Sequence, residues 1–288
     1  MVDTYSADQQ AFYYIDETTF GVTPATPTML GHLCSSIIPN INPNDLLVRG
    51  SGSINYMANK RGRLQPELKI KFPVPSDAPT NFLQYARPEL GKSLTCQVLY
   101  YKGVFLTASD IISLLYTGMR ISKAVVTCDI DGIVEAEVSL VGQNIVVGTT
   151  KIADAVAYNQ YAGVTSGLES YFKIAGAANE RAVAWRVEID NGVKQIHTIK
   201  AANAHIAKYV PFGSQKVSGE VTFEFDADTE ADDVVGDTEK ASLEFGIGGA
   251  HYINAALTKW DSFSLDGKIE DFINTTVPFS ARGATTIA

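Results

Sequence analysis

Cysteine is scarce in this chain of 288 residues, with Cys34, Cys96 and Cys128 the only three. They are odd in number and lack the close paired spacing of a metal knuckle, which leaves no basis for a disulfide framework or a zinc module. Buried free thiols, as in a protein made in a reducing cytoplasm, are the expectation. His32, His197, His205 and His251 are scattered, without the helical spacing of a zinc site. No apolar run is long enough to span a bilayer. Met1 to Gln10 is polar and acidic without an apolar centre, so no secretory signal is expected. Positive charge is in deficit: Lys and Arg number 23 against 32 Asp and Glu, a formal net charge of −9. That balance argues against a protein that grips nucleic acid through its phosphates. It suits a surface that lets a polyanion pass without sticking.

Catalytic patterns are missing too. No serine sits in a nucleophile elbow, and no cysteine has a histidine that sequence alone would pair with it. Gly246-Ile247-Gly248-Gly249-Ala250 lacks dinucleotide spacing and a βαβ setting, and reads as a tight turn. The acidic cluster Asp226, Asp228, Glu230, Asp232 and Asp233 lacks the calcium-loop spacing and reads as a solvated helix start. Asn274-Thr275-Thr276 fits a glycosylation triplet but falls in an expected strand. No enzyme, cofactor or metal is therefore expected.

What the chain does have is alternation. Leu64, Pro66, Leu68, Ile70 and Phe72 alternate with Gln65, Glu67, Lys69 and Lys71. Further on, Val217, Gly219, Val221, Phe223 and Phe225 alternate with Ser218, Glu220, Thr222 and Glu224. Period-two patterns of this kind mark strands with one face on a core and the other in water. The closing segments repeat as well. Ile121, Val126, Ile130, Ile133, Val134, Val138 and Leu140 line up with Trp260, Leu265, Ile269, Phe272, Ile273, Val277 and Phe279. Ser93-Leu94 and Ser242-Leu243 mark a third shared block. Order is kept across all three blocks, which points to a repeated architecture and hence to a building block.

The expected organisation is an extended arm over residues 1–31, a first β-sandwich over 32–145, a linker over 146–180 and a second β-sandwich over 181–288. Hydrophobic content of 45% is enough to build real cores. Strands are expected at Phe12–Ile15, Ser35–Ile41, 64–74, Ser93–Tyr101 and in a hairpin turning at Asp131-Gly132. A less regular stretch to Tyr116 comes before that hairpin. One short helix per half is expected, from Ser76 or Asp77 through Ala86 and over Thr229–Gly236. Ile152–Tyr161 is a third helical candidate. Long loops follow the first strand of each half, at Asn42–Arg63 and Asn191–Lys216. A strand ending near Phe279 leaves a short polar tail.

The opening Tyr14-Ile15-Asp16-Glu17-Thr18-Thr19-Phe20-Gly21, with Pro24-Ala25-Thr26-Pro27, resembles the arm of tail tube proteins of long-tailed bacterial and archaeal viruses. The Asn40-to-Arg49 approach to a long loop and the ending Val277-Pro278-Phe279-Ser280-Ala281-Arg282 add to that likeness. The resemblance implies a β-sandwich flanked by a helix, assembled into rings whose inner sheets join as one barrel. It also implies that the loop and arm contact the next ring. Two tube-type domains in one chain would make the ring a trimer with pseudo-six-fold symmetry, a true hexamer being the alternative.

On this reading Leu46, Arg49, Tyr56, Lys60, Arg61 and Arg63 are the candidate contacts between subunits or rings. Glu67, Glu135, Glu137, Glu220 and Glu224 would give an acidic lumen through which viral DNA slides, although Lys69 and Lys71 share that face. The partners are further copies of the chain, neighbouring rings and other tail proteins, and the location is the virion tail. Two alternatives remain: a distal or baseplate-hub tail protein, and a carbohydrate-binding double β-sandwich using Tyr100, Tyr101, Tyr158 and Tyr161.

Overall fold

The computed structural model describes residues 5, 8–25, 27–48, 58–77, 80–106, 110–152, 163–199, 202–224, 228–265 and 274–288. Among them the fold is mainly β. The first half holds β1 (Gln10–Asp16), β2 (Leu30–His32), β3 (Ser36–Asn42), β4 (Leu46–Val48), β5 (Ala58–Lys60) and β6 (Gln65–Pro73). After these come α1 (Thr80–Leu83), β7 (Leu94–Tyr101), β8 (Ile111–Asp129), β9 (Glu135–Val141) and β10 (Asn144–Gly148). The second half holds β11 (Phe172–Ile174), β12 (Ala177–Ala178), β13 (Ala182–Asp190), β14 (Lys216–Glu224) and α2 (Thr229–Val235). It closes with β15 (Lys240–Gly248), β16 (His251–Trp260), β17 (Asn274–Ala281) and β18 (Thr285–Ile287).

One order of antiparallel pairings occurs twice. In the first half β3, β6, β9 and the far part of β8 form one layer, while β10, the near part of β8, β7, β1 and β2 form the other. In the second half β13, β14, β17 and the end of β16 form one layer, and β18, the near part of β16, β15, β11 and β12 the other. Ile121 faces Leu140 in the first half as Trp260 faces Phe279 in the second. The layers meet through aromatic side chains: His32 lies 4.3 Å from Phe72, and Phe245 lies 5.4 Å from Phe279.

Several expectations shift. The strand expected at Phe12–Ile15 forms as Gln10–Asp16, but it is built into the sheet and not an extended arm: it pairs along its length with β7, with Phe12 and Tyr13 fully buried. The stretch before Tyr116 belongs to β8, which starts at Ile111. Ser113, Leu114 and Tyr116 are all buried there, so the alternation that marks a half-wet strand is lost. The polar tail after Phe279 carries β18, paired with β16. The expected helix to Ala86 is a single turn of α-helix followed by a 3-10 turn over Gln84–Ala86. Ile152–Tyr161 lies almost wholly outside the described residues.

A strand that serves two layers has to bend, and β8 does so at Gly118, where φ is +65°. A Cβ there would sit 2.7 Å from the Gln143 Cβ, so only glycine fits both the dihedral and the space. The equivalent bend in β16 falls at Leu257, with φ +52°. Fastening the first bend is the buried carboxylate of Glu17. It accepts from the Gly118 N–H at 2.8 Å, the Gly21 N–H at 2.7 Å, the Ser93 hydroxyl at 2.6 Å and the Thr95 hydroxyl at 2.9 Å. The Glu17 N–H donates to the Ser93 carbonyl at 2.8 Å. One side chain thus holds the N-terminal segment, β7 and the bend together.

Two outcomes are expected. Glu17→Ala strands four donors in a buried site and should cost about 3 kcal/mol or more by denaturant unfolding, with Glu17→Gln intermediate because one carbonyl acceptor remains. His32 is buried among Phe12, Tyr14, Phe72 and Phe82, and burial lowers its pKa from 6.5 to about 3. Between those values the unfolded chain binds a proton that the folded chain does not, so stability is full above pH 6.5 and falls as the pH drops. The slope from this group should approach about 1.4 kcal/mol per pH unit below that point. Unfolding measured from pH 7 to 5 should show it, and His32→Phe should flatten it.

Candidate assembly surface

The two layers built on long alternating strands do not end at the boundary between the halves. The far part of β8 pairs with β13 from Lys123 opposite Asp190 to Asp129 opposite Ala184, so β3, β6, β9, β8, β13, β14 and β17 run on as one sheet. Val126 and Val187 face each other across this joint, as do Ala124 and Ile189, and all four are buried. Asn191, also buried, ties the halves further. Its side-chain N–H groups donate to the Ala86 carbonyl at 2.8 Å and the Ile121 carbonyl at 3.0 Å. A burial that complete keeps every polar group of Asn191 partnered, as low-dielectric surroundings require.

The opposite face of this sheet is mostly polar, with Ile38, Val125 and Val141 among its charged and hydroxyl side chains. Glu67, Glu135, Glu137, Glu220 and Glu224 all lie on it, so the residues read as lumen-facing share one face. Lys69, Lys71, Lys123, Arg186 and Glu188 lie there too. Lys69 bridges Glu137 at 2.7 Å, Lys71 bridges Glu135 at 2.7 Å and Lys123 bridges Glu188 at 2.6 Å. Arg186 reaches Glu188 at 3.3 Å and Glu220 at 4.0 Å. The Asn40 amide donates to Glu67 at 3.2 Å, and Thr222 and Thr276 share a hydrogen bond of 2.9 Å. Lys69 and Lys71, expected on this face from the alternation, are joined by Lys123 and Arg186, so the face carries charge of alternating sign. Carboxylates on one strand stand beside cations on the next, a pairing invisible in any single strand.

The sheet has two open edges. Among the described residues β3 pairs with β6 alone, and its outer edge carries Ile38 and Ile41, both exposed. It also contains Pro39, a residue confined to edge strands because it cannot donate to a ladder. At the other edge the chain leaves β16 after Trp260, and Asp261–Leu265 follows without strand pairing, with Leu265 exposed.

Both long loops leave the sheet at the same end. The Leu64 N–H donates to the His205 carbonyl at 2.8 Å, which brings the loop after β3 against the loop after β13. Arg120 lies over Phe20 at 5.5 Å and Phe212 at 4.6 Å beside them. The first loop folds back as the β4–β5 hairpin, with Leu46 and Leu47 exposed and Lys60, Arg61 and Arg63 exposed at its base. Arg49 and Tyr56 lie outside the described residues. The second loop adds exposed Ile196, Ile199 and Tyr209, which sequence reading passed over. Their only signal was their place, equivalent to the first loop in the repeated order.

The aromatic platform required of a sugar-binding module does not form among the described residues. Tyr101 is buried and Tyr100 half-buried, with Tyr158 and Tyr161 outside the described set. Cys96 and Cys128 are buried free thiols whose pKa values burial raises, and Cys34 is free and half-buried. None of the helices among the described residues is long and apolar enough to cross a membrane.

A family model described as phage tail tube protein matches residues 7–258. None of the curated proteins compared with the chain matches it. Among solved structures, a chain of a "Virion of native gene transfer agent (GTA) particle" is similar with a TM-score of 0.36 and 13% identity, over 43% of this chain and 99% of that one. A chain of a "Tail of empty GTA particle computed with helical refinement, C6 symmetry" gives a TM-score of 0.36 and 14% identity, with 43% of this chain and 99% of that one covered. The family match runs through most of the chain and takes in both halves of the continuous sheet, and the protein accordingly belongs to the phage tail tube protein family, as a structural component of the virion tail.

Proposed function

We propose that the chain is the major tail tube subunit, built of two tandem sheet-on-sheet units, β1–β10 and β11–β18, wider than the expected 32–145 and 181–288 because β1, β2, β11 and β12 join their layers, and that three copies close into a ring with pseudo-six-fold symmetry. Rings stack into a hollow tube that conducts viral DNA, with no catalytic step. The observation that carries this reading is the joint between β8 and β13. It fuses two half-wet layers edge to edge and leaves both outer edges open. Head-to-tail contacts of that kind close a ring when the rotation per step divides the circle. Closure removes the exposed edges, which would otherwise pair indiscriminately.

In such a ring the polar face of the sheet lines the lumen, with Glu67, Glu135, Glu137, Glu220 and Glu224 interleaved with lysine and arginine. A wall of mixed sign offers a polyanion neither a continuous binding track nor a strong barrier. The two loops at one end, with Leu46, Leu47, Ile196, Ile199 and Tyr209, form the apolar rim that meets the next ring. Lys60, Arg61 and Arg63 add charge beside it.

Negative-stain electron microscopy across a concentration series is expected to show rings or tubes, with rotational averages of three-fold symmetry. Uniform single particles at every concentration would count against self-assembly, and strict six-fold averages with one chain per repeat would replace the trimer. Replacing Leu46 and Leu47 together with Asp should leave rings and abolish tubes. Unaltered tubes would remove the hairpin from the stacking contact. Glu220→Lys with Glu224→Lys should spare assembly and slow genome passage, because added positive charge on the lumen wall attracts phosphate. Unchanged infectivity would argue against a lumenal face.

A further inference from the structure

The repeated pairing order fixes which residues take equivalent places in the two halves. Trp260 opposite Phe279 repeats Ile121 opposite Leu140. The first half has a bulge at Ser122, between Ile121 and Lys123; with Asp261 in the matching place, Phe263, packed against the core as Ala124 is, takes the place of Ala124 and Leu265 that of Val126. Leu68 faces Leu140 and Pro39, and Gly219 faces Phe279 and Val187. Pro39 therefore takes the place of Val187, and Ile41 that of Ile189. A local check agrees. Asn42 accepts from the N–H of left-handed Asn44 at 2.9 Å, and Asp190 accepts from the N–H of left-handed Gly192 at 2.8 Å, two positions matched by the same count.

Resting on the ring reading above, we infer that the contact between copies is a second, weaker version of the joint within the chain, in the same register. β3 of one copy pairs antiparallel with Ser262–Leu265 of the next, with Ile41 opposite Phe263 and Pro39 opposite Leu265. Within the chain the corresponding pairs, Ala124 with Ile189 and Val126 with Val187, are at most 1% exposed. At the two open edges Ile41 is 41% and Leu265 49% exposed, so each edge presents the apolar group the other lacks. Asp261–Leu265 then takes on strand pairing when its partner arrives.

Three differences make the contact between copies the weaker one. Lys123 and Glu188, bridged at 2.6 Å across the inner joint, are replaced by Ser262 and Asn40. Asn191, which anchors the inner joint to Ala86 and Ile121, is replaced by Pro43, which has no N–H and no side-chain donor. Pro39 removes one rung. The Gly142 N–H donates to the Pro66 carbonyl at 3.0 Å, so even-numbered residues of β6 point to β9 and odd-numbered ones to β3. Given Glu67 opposite Asn40, the backbone of Pro39 points to the open edge, where its missing N–H leaves one ladder bond unmade. Rings should consequently open only between copies.

Cysteine cross-linking of the full-length chain tests the register. Asn40 and Ser264 would face each other as a non-hydrogen-bonded pair, the arrangement with the shorter separation. Asn40→Cys with Ser264→Cys is expected to yield covalent trimers as the major oxidised species, while Asn40→Cys with Ser262→Cys and the parent chain do not. Rings that form without the first cross-link, or that prefer the second, would overturn the register while leaving the ring reading intact. Absence of rings from the parent chain would overturn both. Ile41→Asp supplies an independent arm: it should abolish rings with no change in the unfolding midpoint, and rings that persist would remove this edge from the contact.

Discussion

The fold depends on a strand that belongs to two layers at once, and on what holds its bend. β8 gives its first half to the layer of β7 and its second to the layer of β9 and β13. A break in direction inside a sheet ordinarily leaves backbone groups without partners. Here the Gly118 N–H is met by the Glu17 carboxylate, which also gathers Ser93, Thr95 and Gly21. Everything beyond the bend, including the joint with the second half, inherits its position from that buried side chain. In the second half the bend at Leu257 places a branched side chain at positive φ, a conformation that L-residues other than glycine and asparagine take at some cost. There β16 holds the shared layer over only Thr258–Trp260 before strand pairing stops.

Much of this could be read in the sequence where one face of a strand is wet. β6, β9, β14 and β17 alternate along their length, and the hairpin at Asp131-Gly132 forms as its turn residues dictate, with the Gly132 N–H donating to the Asp129 carbonyl at 3.0 Å. Where both faces are covered, the strands at Phe12–Ile15 and Ser93–Tyr101 were still legible as short apolar runs, whereas the start of β8 was not. A second apolar cluster, including Tyr13, Leu99, Tyr101 and Ile111, packs on the outer side there and removes the alternation. Glu17 stood in the opening motif without a visible task, since its partners lie up to 101 residues away. A strand reveals which residues share a face, and Glu67, Glu137 and Glu220 do share one, but not which cations stand beside them.

Those cations change the argument about the polar face. Lys69 with Glu137, and Lys71 with Glu135, are substantially exposed pairs, and exposed pairs contribute about 0–1 kcal/mol each. Stability is therefore a poor reason for the ladder. Its stronger effect is on potential, because neighbouring charges of opposite sign cancel within a Debye length of roughly 8–10 Å in physiological salt. The chain's charge of −9 then resides largely off this face, where it serves solubility. If this face lines the lumen as proposed, a wall that a polyanion slides past needs low net potential more than negative potential, since repulsion would itself oppose entry.

Carrying both units in one chain has a further consequence for assembly. Each association step costs an estimated 4–15 kcal/mol in translational and rotational freedom at standard concentration. A joint made within the chain is exempt from that cost, and here it is the joint with the buried Asn191 anchor and the Lys123–Glu188 bridge. In the proposed ring, half the joints are thus in place when the chain folds. The open edges can then afford to be weak, with Pro39 and uncharged side chains at the seam, and weakness at an edge strand is protective before assembly. A strong, regular edge would recruit any exposed strand, whereas this one requires the apolar match of two specific edges before its remaining ladder bonds repay the ordering of Asp261–Leu265.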